Sequence, residues 1–148
     1  MAIDVTVEQQ IRRPRHEVAA YAVDPANEPA WIAGISESQL LTPGPIAKGS
    51  RARRLAKFAG RRIEYTPEVL EYDEGSRLLM QTDKPFPMTI EYRFADRDGG
   101  TLFSQRLQGG PGGVAGIFSP LMAMMVKSTI RRDMQRLRRL LESRAQAS

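Results

Sequence analysis

One histidine and no cysteine among 148 residues narrow the available chemistry at once. Without cysteine there is no disulfide, no thiolate metal site and no cysteine nucleophile, and a lone histidine excludes a His-rich metal site. His16 stands between Arg15 and Glu17 at the start of a predicted helix. Flexible charged neighbours of this kind do not define a catalytic triad, so His16 reads as a surface residue. Glu64, Glu68, Glu71 and Glu91 fall mostly on the parity opposite the apolar residues of their strands, which places them in solvent rather than in an acid–base pair. The run Gly109-Gly110-Pro111-Gly112-Gly113 lacks the Gly-Lys-Ser/Thr ending of a phosphate loop. It reads as a connector, or as a gate at a cavity mouth, because glycine-rich loops move easily.

What remains is largely apolar and aromatic. Tyr21, Trp31, Tyr65, Met80, Met88, Tyr92, Met122 and Met125 are the candidates for lining a binding cavity. Four of the seven methionines (Met122, Met124, Met125 and Met134) fall in one C-terminal segment. Thioether side chains adapt to irregular shapes, which suits a pocket for flexible apolar molecules and equally suits a methionine-filled core.

The elements that must position these residues follow from spacing. Residues 119–144 predict a long helix, with Ser119 as its N-cap and Pro120 in the first turn. At 1.5 Å per residue it is about 37 Å long. Met122, Val126, Ile130, Met134, Leu137 and Leu141 recur at steps of four and three and share one face. Residues 3–11 alternate, with Ile3, Val5, Val7 and Ile11 on one side and Asp4, Thr6 and Glu8 on the other, as in a half-buried strand. Arg13-Pro14 opens a helix carrying Val18, Tyr21 and Ala22. Asp24-Pro25 caps a second one over 25–33, which Pro29 keeps short or irregular. Further strands are predicted at 35–41, 51–58, 61–72, 77–83, 88–95 and 101–108, and Pro67 demands an edge or bulge inside the fourth strand, 61–72. Hairpin-length connections make the sheet antiparallel. Six or seven strands curved around one long helix leave a cavity between sheet and helix.

Net charge is +5, with acid-free basic stretches from Lys48 to Arg62 and a basic face from Lys127 to Arg144. Such faces are usually solvated, though they suit peripheral contact with an anionic surface. The helix has no aromatic residues between its arginines, so no specific nucleic-acid partner is expected. No apolar run reaches the ~18–20 residues of a membrane span, and no secretory leader is visible, so a cytoplasmic location is expected.

Several local strings occur in an order that resembles a known superfamily. They are Ile11-Arg12-Arg13-Pro14 followed by Glu17-Val18; Asp24-Pro25-Ala26-Asn27-Glu28-Pro29-Ala30-Trp31; Pro43-Gly44-Pro45 with Gly49-Ser50-Arg51; Gly60-Arg61-Arg62; Val69-Leu70-Glu71-Tyr72; Gly99-Gly100-Thr101; and Leu137-Arg138-Arg139-Leu140-Leu141-Glu142. Together they resemble the START-like (SRPBCC, Bet v 1-like) superfamily, most closely its polyketide cyclase/dehydrase and lipid-transport branch. The resemblance implies one domain over 1–148 with an α+β helix-grip fold. It implies a shared pocket rather than a shared catalytic motif, in members that include hydrophobic-ligand carriers, aromatic polyketide cyclases, ubiquinone-associated proteins and plant hormone receptors. The expectation is a protein that binds a small hydrophobic or amphipathic ligand such as a lipid, isoprenoid or polyketide, with no cofactor. One alternative is a cyclase or dehydratase in the same pocket, where Tyr65, Tyr92, Arg53 or Gln105 would assist enolisation. The other is an interaction module working through the basic face of the long helix.

Overall fold

The computed structural model of the protein describes residues 3–58, 60–84, 87–109 and 120–147. β1 (Ile3–Ile11) buries Ile3, Val5, Val7 and Ile11 and exposes Asp4, Thr6 and Glu8, because a strand turns successive side chains to opposite faces. Pro14 then precedes α1 (Arg15–Val23), and its carbonyl accepts from the amides of Glu17 and Val18 at 3.1 Å. Val18, Ala19, Ala22 and Val23 are buried there. Asp24 caps a 3-10 turn, Pro25–Asn27, by accepting the Ala26 amide at 3.0 Å. α2 (Glu28–Trp31) follows, with Pro29 in its first turn, where no amide proton is needed.

The remaining strands are β2 (Ile35–Leu40), β3 (Ala52–Phe58), β4 (Arg61–Tyr65), β5 (Glu68–Asp73), β6 (Arg77–Thr82), β7 (Met88–Arg97) and β8 (Gly100–Gly109). They form a five-stranded sheet in the order β1-β8-β7-β6-β5 and a three-stranded sheet β2-β3-β4, antiparallel throughout. The two sheets join where Arg51 bridges Glu68 and the Val69 amide donates to the Ser50 carbonyl at 2.8 Å. The result is one curved surface of eight strands rather than six or seven. The extra strand comes from Pro67. The single strand expected over 61–72 divides at Thr66-Pro67, since proline has no amide to continue a ladder. The Pro67 carbonyl instead accepts from Ala52 at 3.2 Å as the chain passes from one sheet to the other.

One turn and one close backbone approach set the register of the longest hairpin. Asp98 (φ 51°) and Gly99 (φ 76°) both lie in the left-handed region that a two-residue type I′ turn requires. Beyond them, Gly100 packs so closely that a Cβ there would stand 2.4 Å from the Ile11 carbonyl oxygen.

α3 (Pro120–Ala147) closes the fold. Ile130, Met134, Leu137 and Leu141 are buried, and Met122 and Val126 pack half-buried against the same core. That core also takes the inner faces of β1, β6, β7 and β8, so helix and sheet share one apolar interior. Its centre is aromatic. Phe94 and Phe103 stack at 4.8 Å, and Tyr92 and Trp31 meet Phe103 edge-on at 5.4 and 6.0 Å.

Candidate functional site

β3 carries two successive arginines, and alternation sends them to opposite faces. Arg53 points outward and pairs with Glu64 at 2.6 Å. Arg54 points inward and is 2% exposed. The interior polar residue of β3 is therefore Arg54, not Arg53 as expected from the sequence. Glu28 of α2, also 2% exposed, meets it with both carboxylate oxygens; Arg54 Nε donates to Oε1 at 3.1 Å and a terminal nitrogen donates to Oε2. Ser38 of β2 donates its hydroxyl to Glu28 Oε1. Tyr65, opposite Arg54 in the β3–β4 register, places its ring centre 5.8 Å from the guanidinium carbon.

A buried pair of this kind stands only because each charge compensates the other. Burial works against the Arg54 cation, and the Glu28 carboxylate together with Tyr65 and Tyr92 outweighs it, so its pKa lies above the ordinary arginine value. Tyr92, 1% exposed on β7, has its phenol pushed well up by burial, with Arg54 opposing. Tyr92 is accordingly a neutral hydrogen-bond donor at physiological pH.

Two polar atoms around Tyr92 have no hydrogen-bond partner among the described residues. One is the indole Nε1 of Trp31, a fully buried residue whose ring lies 6.1 Å from that of Tyr92. The other is Oε1 of Gln105, which faces Tyr92 across the β7–β8 ladder. Buried polar atoms are nearly always paired, because leaving one unpaired costs about 1–3 kcal/mol. One orphan donor and one orphan acceptor beside a buried tyrosine are therefore a feature to be explained.

α3 fixes the turn that holds Trp31. Asp133, 6% exposed, accepts from the Ala33 amide at 3.2 Å and from Arg136 at 3.3 Å, and Arg136 also donates to the Trp31 carbonyl at 2.9 Å. Burial raises the Asp133 carboxyl pKa, against the pull of Ala33 and Arg136.

Space beside the Glu28–Arg54 pair amounts to ≈ 10 Å³, lined by Val23, Pro25, Ala52, Pro67, Val69 and Met80 among others. That is room for about one water. A larger hollow of ≈ 500 Å³ lies on the outer face of β1, β7 and β8, among Asp4, Thr6, Glu91, Arg93, Ser104 and Arg106. It is open and its charges are already paired, Arg106 to Asp4 at 2.7 Å and Arg93 to Glu91 at 3.0 Å. The interior, with its orphan groups, is the stronger candidate.

The structure gathers some of the expected lining residues and spreads others. Trp31, Met80 and Tyr92 are buried in the core; Tyr21, Met88 and Met122 are half-buried against it; Tyr65 is half-buried over Arg54. Tyr21 carries the Arg144 guanidinium over its ring at 4.7 Å. Met125 is not brought inside. It is 51% exposed, because five positions before Ile130 place it about 140° around the helix from the buried stripe. His16 is exposed. Most of the glycine run, 110–113, lies outside the described residues, so the gate has no structural account. Sequence reading did not single out Glu28, Ser38, Arg54 or Asp133. For Glu28 a signal existed, since it stands one helical turn before Trp31 and so shares its face.

With this geometry in hand, the likenesses to known proteins are informative. No curated protein sequence matches the chain. Among solved structures, Ara h 8.0201 superposes with a TM-score of 0.73 at 12% identity, covering 97% of this chain and 99% of that one. TTHA0849 from Thermus thermophilus gives 0.72 at 19%, covering 97% of each. The di-domain ARO/CYC StfQ of the steffimycin biosynthetic pathway gives 0.75 at 9%, covering 98% of this chain and 52% of that protein. At such identities these likenesses establish the fold, a Bet v 1-like helix grip. The family model described as "Polyketide cyclase / dehydrase and lipid transport" matches residues 2–142, and over nearly its whole length the chain thus belongs to that family of the START-like superfamily.

Proposed function

We propose that this protein binds a small, mainly apolar molecule with one polar end, in the interior between the five-stranded sheet and α3. The observation that carries this reading is the pair of orphan atoms flanking Tyr92, Trp31 Nε1 and Gln105 Oε1. A hydroxyl or an enol both donates and accepts, so it is the kind of polar end that complements an orphan donor and an orphan acceptor. The apolar body would pack against Trp31, Met80, Met88, Tyr92 and Met122, with Tyr21 and Tyr65 at the margins; Met125, on the outer face of α3, is left out. Burial of apolar ligand surface supplies roughly 25 cal/mol per Å² before the costs of association. The ≈ 10 Å³ space beside the Glu28–Arg54 pair is lined by Met80 but not by Trp31, Tyr92 or Gln105, and those packed residues must part to admit a ligand, with the half-buried Met88 and Met122 as the side chains most able to yield.

A second reading, a cyclase or dehydratase, rests on one observation: a permanently charged guanidinium beside a neutral phenol. Arg54 and Tyr92 could together stabilise an enolate oxygen, and no nucleophile would be needed. Native mass spectrometry of the purified protein, followed by extraction and a panel of fatty acids, isoprenoid alcohols and aromatic polyketides, separates the two. A molecule retained unchanged supports a carrier. Conversion that stops in Tyr92→Phe, which keeps the packed ring and removes only the phenol, supports an enzyme. Failure of every class to bind removes both readings.

A further inference from the structure

The start of α3 exposes three large apolar side chains. Leu121 is 68% exposed, Met124 69% and Met125 51%. The arrangement continues along the helix. Arg131 and Arg132 stand seven positions beyond Met124 and Met125, two turns on and on the same outer arc. At 1.5 Å per residue that separation is about 10 Å. Lys127 and Arg139 are exposed as well. From Pro120 to Arg139 the one acid is Asp133, which is buried inward against Ala33. Among the described residues, Lys127, Arg131, Arg132 and Arg139 form no ion pair. Apolar groups thus cluster at one end of the outer arc and exposed cations follow, of which Arg132 alone acts on Asp133, without pairing to it.

We propose that this end of α3 docks the protein on an anionic lipid bilayer, with Leu121, Met124 and Met125 entering the acyl boundary and Lys127, Arg131 and Arg132 meeting the lipid phosphates. With the start of α3 tipped into the bilayer, cations about 10 Å further along the helix axis stay at the level of the headgroups while the apolar end is immersed. Charge decides between occupants. A second copy of the chain brings its own net charge of +5 and, across a two-fold axis, its own arginines against these. Nucleic acid would use the cations and leave the three apolar side chains in water. A convex ridge of flexible side chains also offers no groove to a rigid partner, whereas a fluid acyl phase adapts to it. This inference stands independently of the interior site, since docking requires no bound cargo.

The test is cosedimentation of the full chain with phosphatidylcholine vesicles, with and without phosphatidylglycerol, at low and high salt. Binding is expected to need phosphatidylglycerol and to weaken with salt. The triple variant L121S/M124S/M125S should lose about tenfold or more in partitioning. Arg131→Gln and Arg132→Gln should each lose about fivefold and flatten the salt dependence. All these side chains are exposed, so thermal midpoints should match the parent chain. Met125→Trp supplies a second readout: its emission should shift to the blue with phosphatidylglycerol vesicles only, over a constant background from buried Trp31. Three results would overturn the proposal. They are no phosphatidylglycerol-dependent binding, a triple serine variant that binds as well as the parent, or a dimer by light scattering that the triple variant dissolves.

Discussion

Removing one partner of the Glu28–Arg54 pair and removing both are different perturbations. Arg54→Met leaves a buried carboxylate that keeps, among the described residues, the Ser38 hydroxyl as its side-chain donor, and should destabilise the fold by about 3–5 kcal/mol in urea unfolding. Adding Glu28→Met removes that charge too, and the double variant should recover most of the loss. A double variant as unstable as the sum of the singles would mean the residues act separately. Gln105 makes the opposite case. Gln105→Leu deletes an unpaired acceptor and fills the same space, so the empty protein should gain about 1 kcal/mol or more. Ligand affinity should fall in the same variant. A gain in stability with unchanged binding would make Gln105 a defect of packing rather than part of a site.

At the scale of elements, the contact between α3 and the turn after α2 is the joint that holds Trp31. Its pH behaviour follows from Asp133. Burial raises the carboxyl pKa in the fold above its ordinary value of 3.8, so between the unfolded and folded values the native state holds the extra proton. Stability from this group is therefore present at acid pH and declines as pH rises through that window. Asp133→Asn mimics the neutral carboxyl and should abolish this part of the slope. Relative to the parent, the variant should become more favourable as pH rises from below the ordinary carboxyl value to above the raised one. Thermal melts across that range measure it, and an unchanged slope would show that Asp133 is ionised equally in both states.

For the whole molecule, a ligand bound inside and a surface bound outside have different signatures. An interior ligand at a hundred times its dissociation constant adds about 2.7 kcal/mol to the folded state. For a chain of 148 residues that raises the melting midpoint by about 5–10 °C. Apolar burial is scarcely screened, so the rise should persist in high salt. A rise that disappears with salt would place the bound molecule on the basic exterior instead.

Periodicity alone settled the parts of this protein that repeat. The α3 stripe from Met122 to Leu141, the alternation of β1 and the Asp24-Pro25 cap all stand where spacing put them, because each depends on neighbours within a turn or a few residues. The family was legible for the same reason, as a fixed order of local strings. Arg53 and Arg54 show where that reach ended. In Ala52-Arg53-Arg54-Leu55-Ala56, either parity puts one arginine inside, and only the β2–β3–β4 pairing and the arrival of Glu28 from α2 decide which. Met125 ended outside for a related reason: methionine suits core and surface alike, and the sheet lies on one side of the helix only. The orphan atoms of Trp31 and Gln105 are the extreme case. Their residues lie 74 positions apart in the chain, and nothing in the order of residues says that both will neighbour Tyr92 with these atoms unpaired among the described residues. Local preference fixes elements; which polar groups are buried together is decided by packing across the whole fold, where every alternative pairing competes at once.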